Sequence, residues 1–178
     1  MERAPYDLEF AAADHPDPKV RHAGFSLNHP YVEQCWGAVL GPSGVAVLRR
    51  LPVLWADHEP ARIPAGELAR SLGLGRGTGA NSRLQHALDR TTRFGLADWT
   101  EPGRALRVYT EVPPLDRHRL AQLPDWSHRA HDRLLTEHID QLARTPAAPT
   151  QAPPTITERL DRLQQPPAPH RSSPVISR

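Results

Sequence analysis

One stretch, residues 63–109, constrains the fold more than any other part of the chain. It begins with a short amphipathic pattern over residues 65–72, in which Leu68 and Leu72 share a face, and continues with a glycine at every second position of 73–79. These features predict a short helix and a tight turn, because glycine adopts backbone conformations that other residues avoid. A second helix is predicted from Ser82, which stands with Gln85 in the Ser-x-x-Gln order of a capping box.

The two sides of this second helix differ in chemistry. Leu84, Leu88 and Thr91 recur at helical spacing, which predicts a side that is buried in the core. Basic residues line the other side at i, i+3, i+7 and i+10, and we call them the basic stripe: Arg83, His86, Arg90 and Arg93. The acidic residue on this helix, Asp89, is off the stripe.

A two-stranded hairpin is predicted after the second helix. An extended run starts at Leu96, a Glu-Pro-Gly-Arg turn occupies residues 101–104, and residues 105–112 alternate between apolar and polar side chains. Pro102 fixes the first central φ angle of the turn, and Gly103 is free to take a positive φ at the second. The order of elements is therefore helix, turn, basic helix and hairpin.

In this order of elements, residues 28–112 resemble the winged helix-turn-helix superfamily, in a form associated with actinobacterial proteins. The resemblance implies a second helix that lies in the major groove of DNA and a hairpin, the wing, that contacts the backbone or minor groove. The expected fold class is mainly α with a small β-hairpin: a winged helix-turn-helix with an appended C-terminal helix and a disordered tail.

The residues expected to contact DNA come from the turn, the second helix and the wing. They are Arg76, Asn81, Ser82, Arg83, His86, Arg90, Arg93, Arg104 and Arg107. An arginine near the start of the helix can fork onto guanine, those further along meet phosphates, and the helix start itself favours anions. The alternative is a merely solvated face, which is the usual fate of a charge run. Arginine outnumbers lysine 21 to one, as codon bias in a GC-rich genome would produce, which weakens an argument from arginine abundance but not one from arginine placement.

The segments around the hairpin and helix pair predict the domain layout. Residues 1–27 are expected to form a loosely ordered arm that packs Tyr6, Phe10 or Phe25 onto the domain. Residues 28–40 and 43–55 predict two scaffold helices separated at Gly41, the second of which Pro52 kinks or ends, and residues 62–64 predict a short first strand.

Beyond the wing, residues 113–144 predict appended helices, at 115–123 and 125–143. The helix over 125–143 either joins a homodimer through Leu135, Ile139 and Leu142 or packs on its own domain. Residues 145–178 contain eight prolines and are expected to form a disordered tail.

Other function classes find little support in the sequence. There is no nucleophile elbow, no zinc-protease motif and no plausible pair of catalytic carboxylates, so an enzyme is not expected. The glycines at 75–79 follow a helix, whereas phosphate-binding glycine loops follow a strand. His128 and His131 share a helix face, but exposed histidines on a polar face are the favoured interpretation, and neither a metal nor a cofactor is expected.

Cys35 lies between apolar neighbours and is predicted to be a buried thiol. The sequence has no long apolar run and no apolar signal core, which predicts a cytoplasmic protein. The resulting hypothesis is a DNA-binding protein, a transcriptional regulator or a mobile-element factor, whose partner is double-stranded DNA. The alternative is a winged-helix module that binds protein and not DNA, which would expose apolar residues on the second helix and wing.

Overall fold

A computed structural model of the protein describes residues 6–144, and the predicted disordered tail at 145–178 lies outside the described residues. The fold is mainly helical with a small sheet. In chain order the elements are β1 (Asp7–Ala13), α1 (Pro18–Ala23), β2 (Phe25–Ser26), a π-helical turn (Val32–Trp36) that continues into α2 (Gly37–Asp57), β3 (Ala61–Pro64), α3 (Ala65–Ser71), α4 (Arg83–Arg93), β4 (Ala97–Glu101), β5 (Ala105–Tyr109), β6 (Glu111–Val112), α5 (Arg117–Leu120) and α6 (Asp125–Arg144).

The main sheet has four strands in the order β3-β1-β5-β4. β1 is antiparallel to β3 and parallel to β5, and β4 and β5 form the predicted hairpin. Leu8 and Phe10 of β1 are fully buried beneath the helices. The expectation of a loosely ordered arm is therefore wrong for residues 7–13, which form an internal strand. Three alanines end this strand and have little strand propensity, so pairing with the distant strands β3 and β5 fixes it.

The π-helical turn and α2 form the central support of the helical layer. The helix is interrupted once, at Gly41, whose φ of 73° and ψ of 169° are not helical. Pro52 does not end it, because α2 continues to Asp57. Leu48 and Leu51 are buried in the core beside Pro52. We infer that their burial offsets the hydrogen bond that proline cannot donate.

The core lies between the helices and the sheet. Its largest fully buried side chains include Trp36, Tyr31, Phe10 and Phe25. α4 packs against α2 through the side formed by Leu84, Ala87, Leu88 and Thr91, which includes the residues that periodicity predicted. The short strand predicted at residues 62–64 is present as β3, and α3 buries Leu68 as expected.

α6 packs on the π-helical turn of its own domain. Its buried side consists of Ser127, Ala130, His131 and Leu134. The Tyr31 hydroxyl accepts a hydrogen bond from the Leu115 amide at 3.0 Å and forms a second hydrogen bond with Nδ1 of His131, 2.6 Å away. His131 is thus a core histidine, and the interpretation of both histidines as exposed is wrong for it. Of the stripe predicted for dimerisation, Leu135 and Leu142 are half-buried and Ile139 is exposed.

Candidate nucleic-acid interface

Ser82 fixes the start of α4. Its Oγ accepts a hydrogen bond from the Gln85 amide at 3.1 Å, as the capping box predicts. The second half of the box is absent, because Nε2 of Gln85 donates to Oδ1 of Asp89 at 2.8 Å. The Ser82 amide donates to the Gly79 carbonyl instead, at 2.9 Å. Asp89, the acidic residue of α4, therefore bonds to the side-chain amide of Gln85 and not to an arginine.

All four residues of the basic stripe are exposed. Within residues 6–144, no acidic side chain forms an ion pair with Arg83, Arg90 or Arg93. The opposite side of α4 is buried, so the helix presents this stripe to solvent with its positive charge uncompensated.

Arg90 differs from its neighbours because one end of its guanidinium is fixed. Nη1 donates to the Leu40 carbonyl at 3.0 Å, directly before the break at Gly41. Arg90, which the sequence predicts as a DNA contact, therefore also joins α4 to α2. Arg83, His86 and Arg90 form one side of an open cleft of about 280 Å³, and the chain around the break in α2 forms the other.

The glycine-rich connection between α3 and α4 is hydrogen-bonded to Tyr6, which directly precedes β1. The Tyr6 hydroxyl donates to the Thr78 carbonyl at 3.2 Å, and Gly73 and Gly75 take positive φ angles, as a tight turn requires. Arg76 and Asn81 are both exposed on this connection, next to the start of α4.

The arginines of the wing are paired with acids. Nε of Arg104 lies 3.9 Å from a carboxylate oxygen of Glu101, and Nη2 of Arg107 lies 3.4 Å from one of Asp98. The Tyr109 hydroxyl donates to the same Asp98 carboxylate, and this hydrogen bond raises the pKa of Tyr109. Such exposed ion pairs contribute less than about 1 kcal/mol, so DNA can compete for the arginines, but the wing as a whole carries no surplus of positive charge.

Two features of this surface were not predicted from the sequence. The first is the wall of the cleft at Pro42 and Ser43, since the Gly-Pro pair indicated only a helix end. The second is the neutralisation of the wing arginines by acidic side chains. The hairpin register places Asp98 opposite Arg107, and a turn at residues 101–104 is enough to deduce that pairing.

The remaining titratable candidates have structural surroundings. Burial lowers the pKa of His131, whereas His128 is exposed with its Nδ1 3.5 Å from Asp132. In the described part of the chain, no group of three His, Cys, Asp or Glu side chains is placed to hold a metal ion. Cys35 is buried as predicted, and burial raises the pKa of its thiol to about 11.

Large apolar side chains are exposed elsewhere on the domain. Among the described residues they are Val53 at 61%, Trp126 at 59% and Ile139 at 54%, which belong to α2 and α6. None belongs to α4 or the wing. No helix within residues 6–144 combines the length and the apolarity needed to cross a membrane.

Comparison with protein-family models, with characterised proteins and with solved structures gave no match to the chain. The arrangement of side chains is therefore the basis on which a function can be argued.

Proposed function

We propose that the protein binds double-stranded DNA as a winged helix-turn-helix, with α4 in the major groove and the β4–β5 hairpin on the backbone. In this role it acts in the cytoplasm as a transcriptional regulator or a mobile-element factor. The observation that carries the proposal is the basic stripe, which is exposed, lacks acidic partners within residues 6–144 and lies opposite a buried side. Phosphate attraction supplies most of the affinity of such surfaces.

The order of elements supports the same fold. β3, α3, α4, β4 and β5 follow one another as the winged helix-turn-helix resemblance implies, and Gly103 has a φ of 72° in the turn of the wing. β1 is an addition, inserted between β3 and β5. It braces the strand that carries Arg107, which gives the wing a firmer base than an isolated hairpin has.

The distribution of exposed apolar residues favours DNA over protein as the partner of this surface. Protein-binding patches are centred on exposed aromatic and aliphatic side chains, and charge is depleted there. α4 instead exposes three arginines and a histidine. The exposed apolar residues of the described chain lie on α2 and α6.

A salt titration tests the proposal directly. The full chain is titrated with random-sequence duplex DNA at several salt concentrations, and log K is plotted against log salt. We expect a straight line with a slope of about −0.9 for each phosphate neutralised. An affinity that does not change with salt, or no binding at low salt, would overturn the proposal and favour a protein partner.

Arg83→Ala locates the interaction on α4. If Arg83 forks onto guanine, its loss weakens binding by about 1–3 kcal/mol and relaxes the preference at one base pair. The matched control is Arg129→Ala, which removes the same charge from an exposed position on α6. Both variants should melt like the parent, because exposed substitutions typically shift stability by less than about 0.5 kcal/mol. Equal DNA affinities for the two variants would remove Arg83 from the interface.

We also propose a homodimer through α6, over residues 125–143. Its inner side braces its own domain, but Ile139 is exposed beside the half-buried Leu135 and Leu142. Sedimentation at micromolar concentration should give a dimer, and Ile139→Asp should shift it to a monomer, whereas Asp140→Asn should not. A chain that stays monomeric both alone and on DNA would leave α6 as an intramolecular brace.

A further inference from the structure

We propose that the cleft between α4 and the break in α2 binds a single phosphate group. The inference rests partly on the proposed function, because the DNA backbone is one source of such a group. A free phosphorylated small molecule is the other source, and the recognition chemistry is the same. Three residues of the basic stripe line this cleft, whereas the fourth, Arg93, lies outside it.

The positive charge of the cleft is concentrated and partly preorganised. Arg83, His86 and Arg90 line it from one helix, with the small side chain of Ala87 among them. Arg90 is held by its bond to the Leu40 carbonyl, so it loses less side-chain freedom on binding than an unrestrained arginine. An arginine has five N–H donors, and the bond to Leu40 leaves the others available.

The facing wall supplies a further donor. Ser43 lines the cleft, and its hydroxyl forms no hydrogen bond with another residue of 6–144. The helix resumes at Pro42 after the break, so the positive end of its dipole lies on the same side. These groups complement the basic residues, which carry most of the attraction.

The set of donors selects the class of ligand. No residue that lines the cleft is acidic, and the Leu40 carbonyl is already engaged by Arg90. A ligand must therefore be negatively charged and rich in acceptors. A phosphate presents several oxygens in tetrahedral directions and can accept from both walls at once, and guanidinium groups match its geometry. A volume of about 280 Å³ is ample for one such group with its bridging water.

The first test uses inorganic phosphate alone. The full chain, labelled with ¹⁵N, is titrated with phosphate while backbone and arginine Nε signals are followed by NMR. We expect saturable shifts at Ser43, Arg83 and Arg90. Arg83→Ala should weaken phosphate binding about tenfold, since hydrogen bonds to charged groups are the strong ones. Arg93→Ala is the matched control, on the same helix but outside the cleft, and should bind phosphate like the parent.

Ser43→Ala provides a second variant, which tests the phosphate contact without removing an interaction that stabilises the fold. Arg90→Ala removes the bond to Leu40 as well as a ligand contact, so its effect on phosphate has two causes. Ser43→Ala removes only an unpartnered hydroxyl, and we expect a severalfold loss of phosphate affinity with an unchanged melting temperature. Shifts that do not saturate, or an equal loss in Arg93→Ala, would overturn the proposed phosphate site.

Titration with duplex DNA distinguishes the two sources. If the backbone supplies the phosphate, Ser43→Ala weakens DNA binding as well, and inorganic phosphate competes with DNA. If phosphate binds but Ser43→Ala leaves DNA affinity unchanged, the ligand is a free phosphorylated molecule. Phosphate binding without any DNA binding would retain the cleft and refute the proposed function. DNA binding without saturable phosphate shifts at Ser43, Arg83 and Arg90 would retain the function and refute the cleft.

Discussion

α4 and the wing carry similar numbers of arginines but differ in how much of that charge is available. Residues 83–93 contain three arginines and one aspartate, whereas residues 97–109 contain two arginines and two acids. Both wing arginines are in ion pairs, and the aspartate of α4 is bound to a glutamine. The number of arginines alone therefore overestimates the positive charge that the wing can offer to DNA. The partner of each arginine decides how it can act.

Backbone geometry explains the difference. Helical spacing gathers like charges on one face of α4 and leaves Asp89 on the adjoining face, within reach of Gln85. A hairpin instead brings different chain segments together. Its register sets Asp98 opposite Arg107, and its turn sets Glu101 three residues before Arg104. Two segments that both contain arginines and acids therefore differ, because the helix separates the charges and the hairpin pairs them.

The largest effect should come from the buried side of α4. Leu88 is buried in the core, and Leu88→Ala should lower the free energy of unfolding by about 2–5 kcal/mol through lost burial and the cavity left behind. Arg93→Ala, on the exposed side of the same helix, should shift stability by less than about 0.5 kcal/mol. Urea denaturation of both variants measures this. Equal destabilisation would mean that the exposed side of α4 also supports the fold.

Acidification should weaken the fold through α6. Burial lowers the pKa of His131, Asp132 raises it and His128 lowers it, and the net direction is downward. A buried histidine with a depressed pKa contributes its full stability above its unfolded pKa of about 6.5, and that contribution is lost as pH falls through the folded value. The free energy of unfolding should therefore decrease between about pH 7 and pH 5.

Urea titrations at several pH values check this dependence. His131→Gln should reduce the slope, while His29, whose pKa burial also lowers, keeps its share, and the exposed His22→Gln should leave the slope unchanged. A parent curve without slope over this range would contradict a neutral, buried His131. The DNA affinities of α4 and the wing are best compared at or above about pH 7, where the lowered pKa keeps His131 neutral.

Local patterns in the sequence were sufficient for the helix pair and the hairpin. The cap at Ser82, the buried side of α4 and the turn at residues 101–104 depend on residues within one or two turns of chain. β1 depends on distant pairing. Its first half alternates Leu8 and Phe10 with Asp7 and Glu9, as a strand should, but the three alanines that follow weaken this local signal. Distant packing also decides the burial of His131. Its polar neighbours on the helix had predicted an exposed side chain.

The exposure of the basic stripe was predictable from the sequence, but the contacts around it were less so. Periodicity correctly placed the basic stripe on the exposed side of α4. It did not reveal that Arg90 reaches the Leu40 carbonyl, because that contact depends on how α4 packs on α2. The pairing of Arg107 with Asp98, in contrast, follows from the hairpin register, because the two residues lie opposite each other on β5 and β4.

Arg93 and Arg107 give a direct comparison of the two regions in DNA binding. Either change to alanine removes one positive charge, so the long-range attraction falls equally. Only Arg107 must first leave an acidic partner to make a contact. We expect Arg93→Ala to weaken binding about tenfold and Arg107→Ala about two- to threefold. Fluorescence anisotropy with duplex DNA at one salt concentration measures both. A larger loss for Arg107→Ala would make the wing the principal contact.

Asp98→Asn should have the smallest effect, and of opposite sign. Asparagine keeps an oxygen that accepts from Tyr109 but removes the charge that pairs with Arg107. The wing then has a surplus positive charge and a freed arginine, so DNA affinity should rise up to about threefold, with a salt slope steeper by up to about one ion. Asp140→Asn, an exposed position on α6, controls for the change in net charge. If the two asparagine variants gain equally, the increase comes from net charge alone, and compensation by Asp98 does not limit the wing.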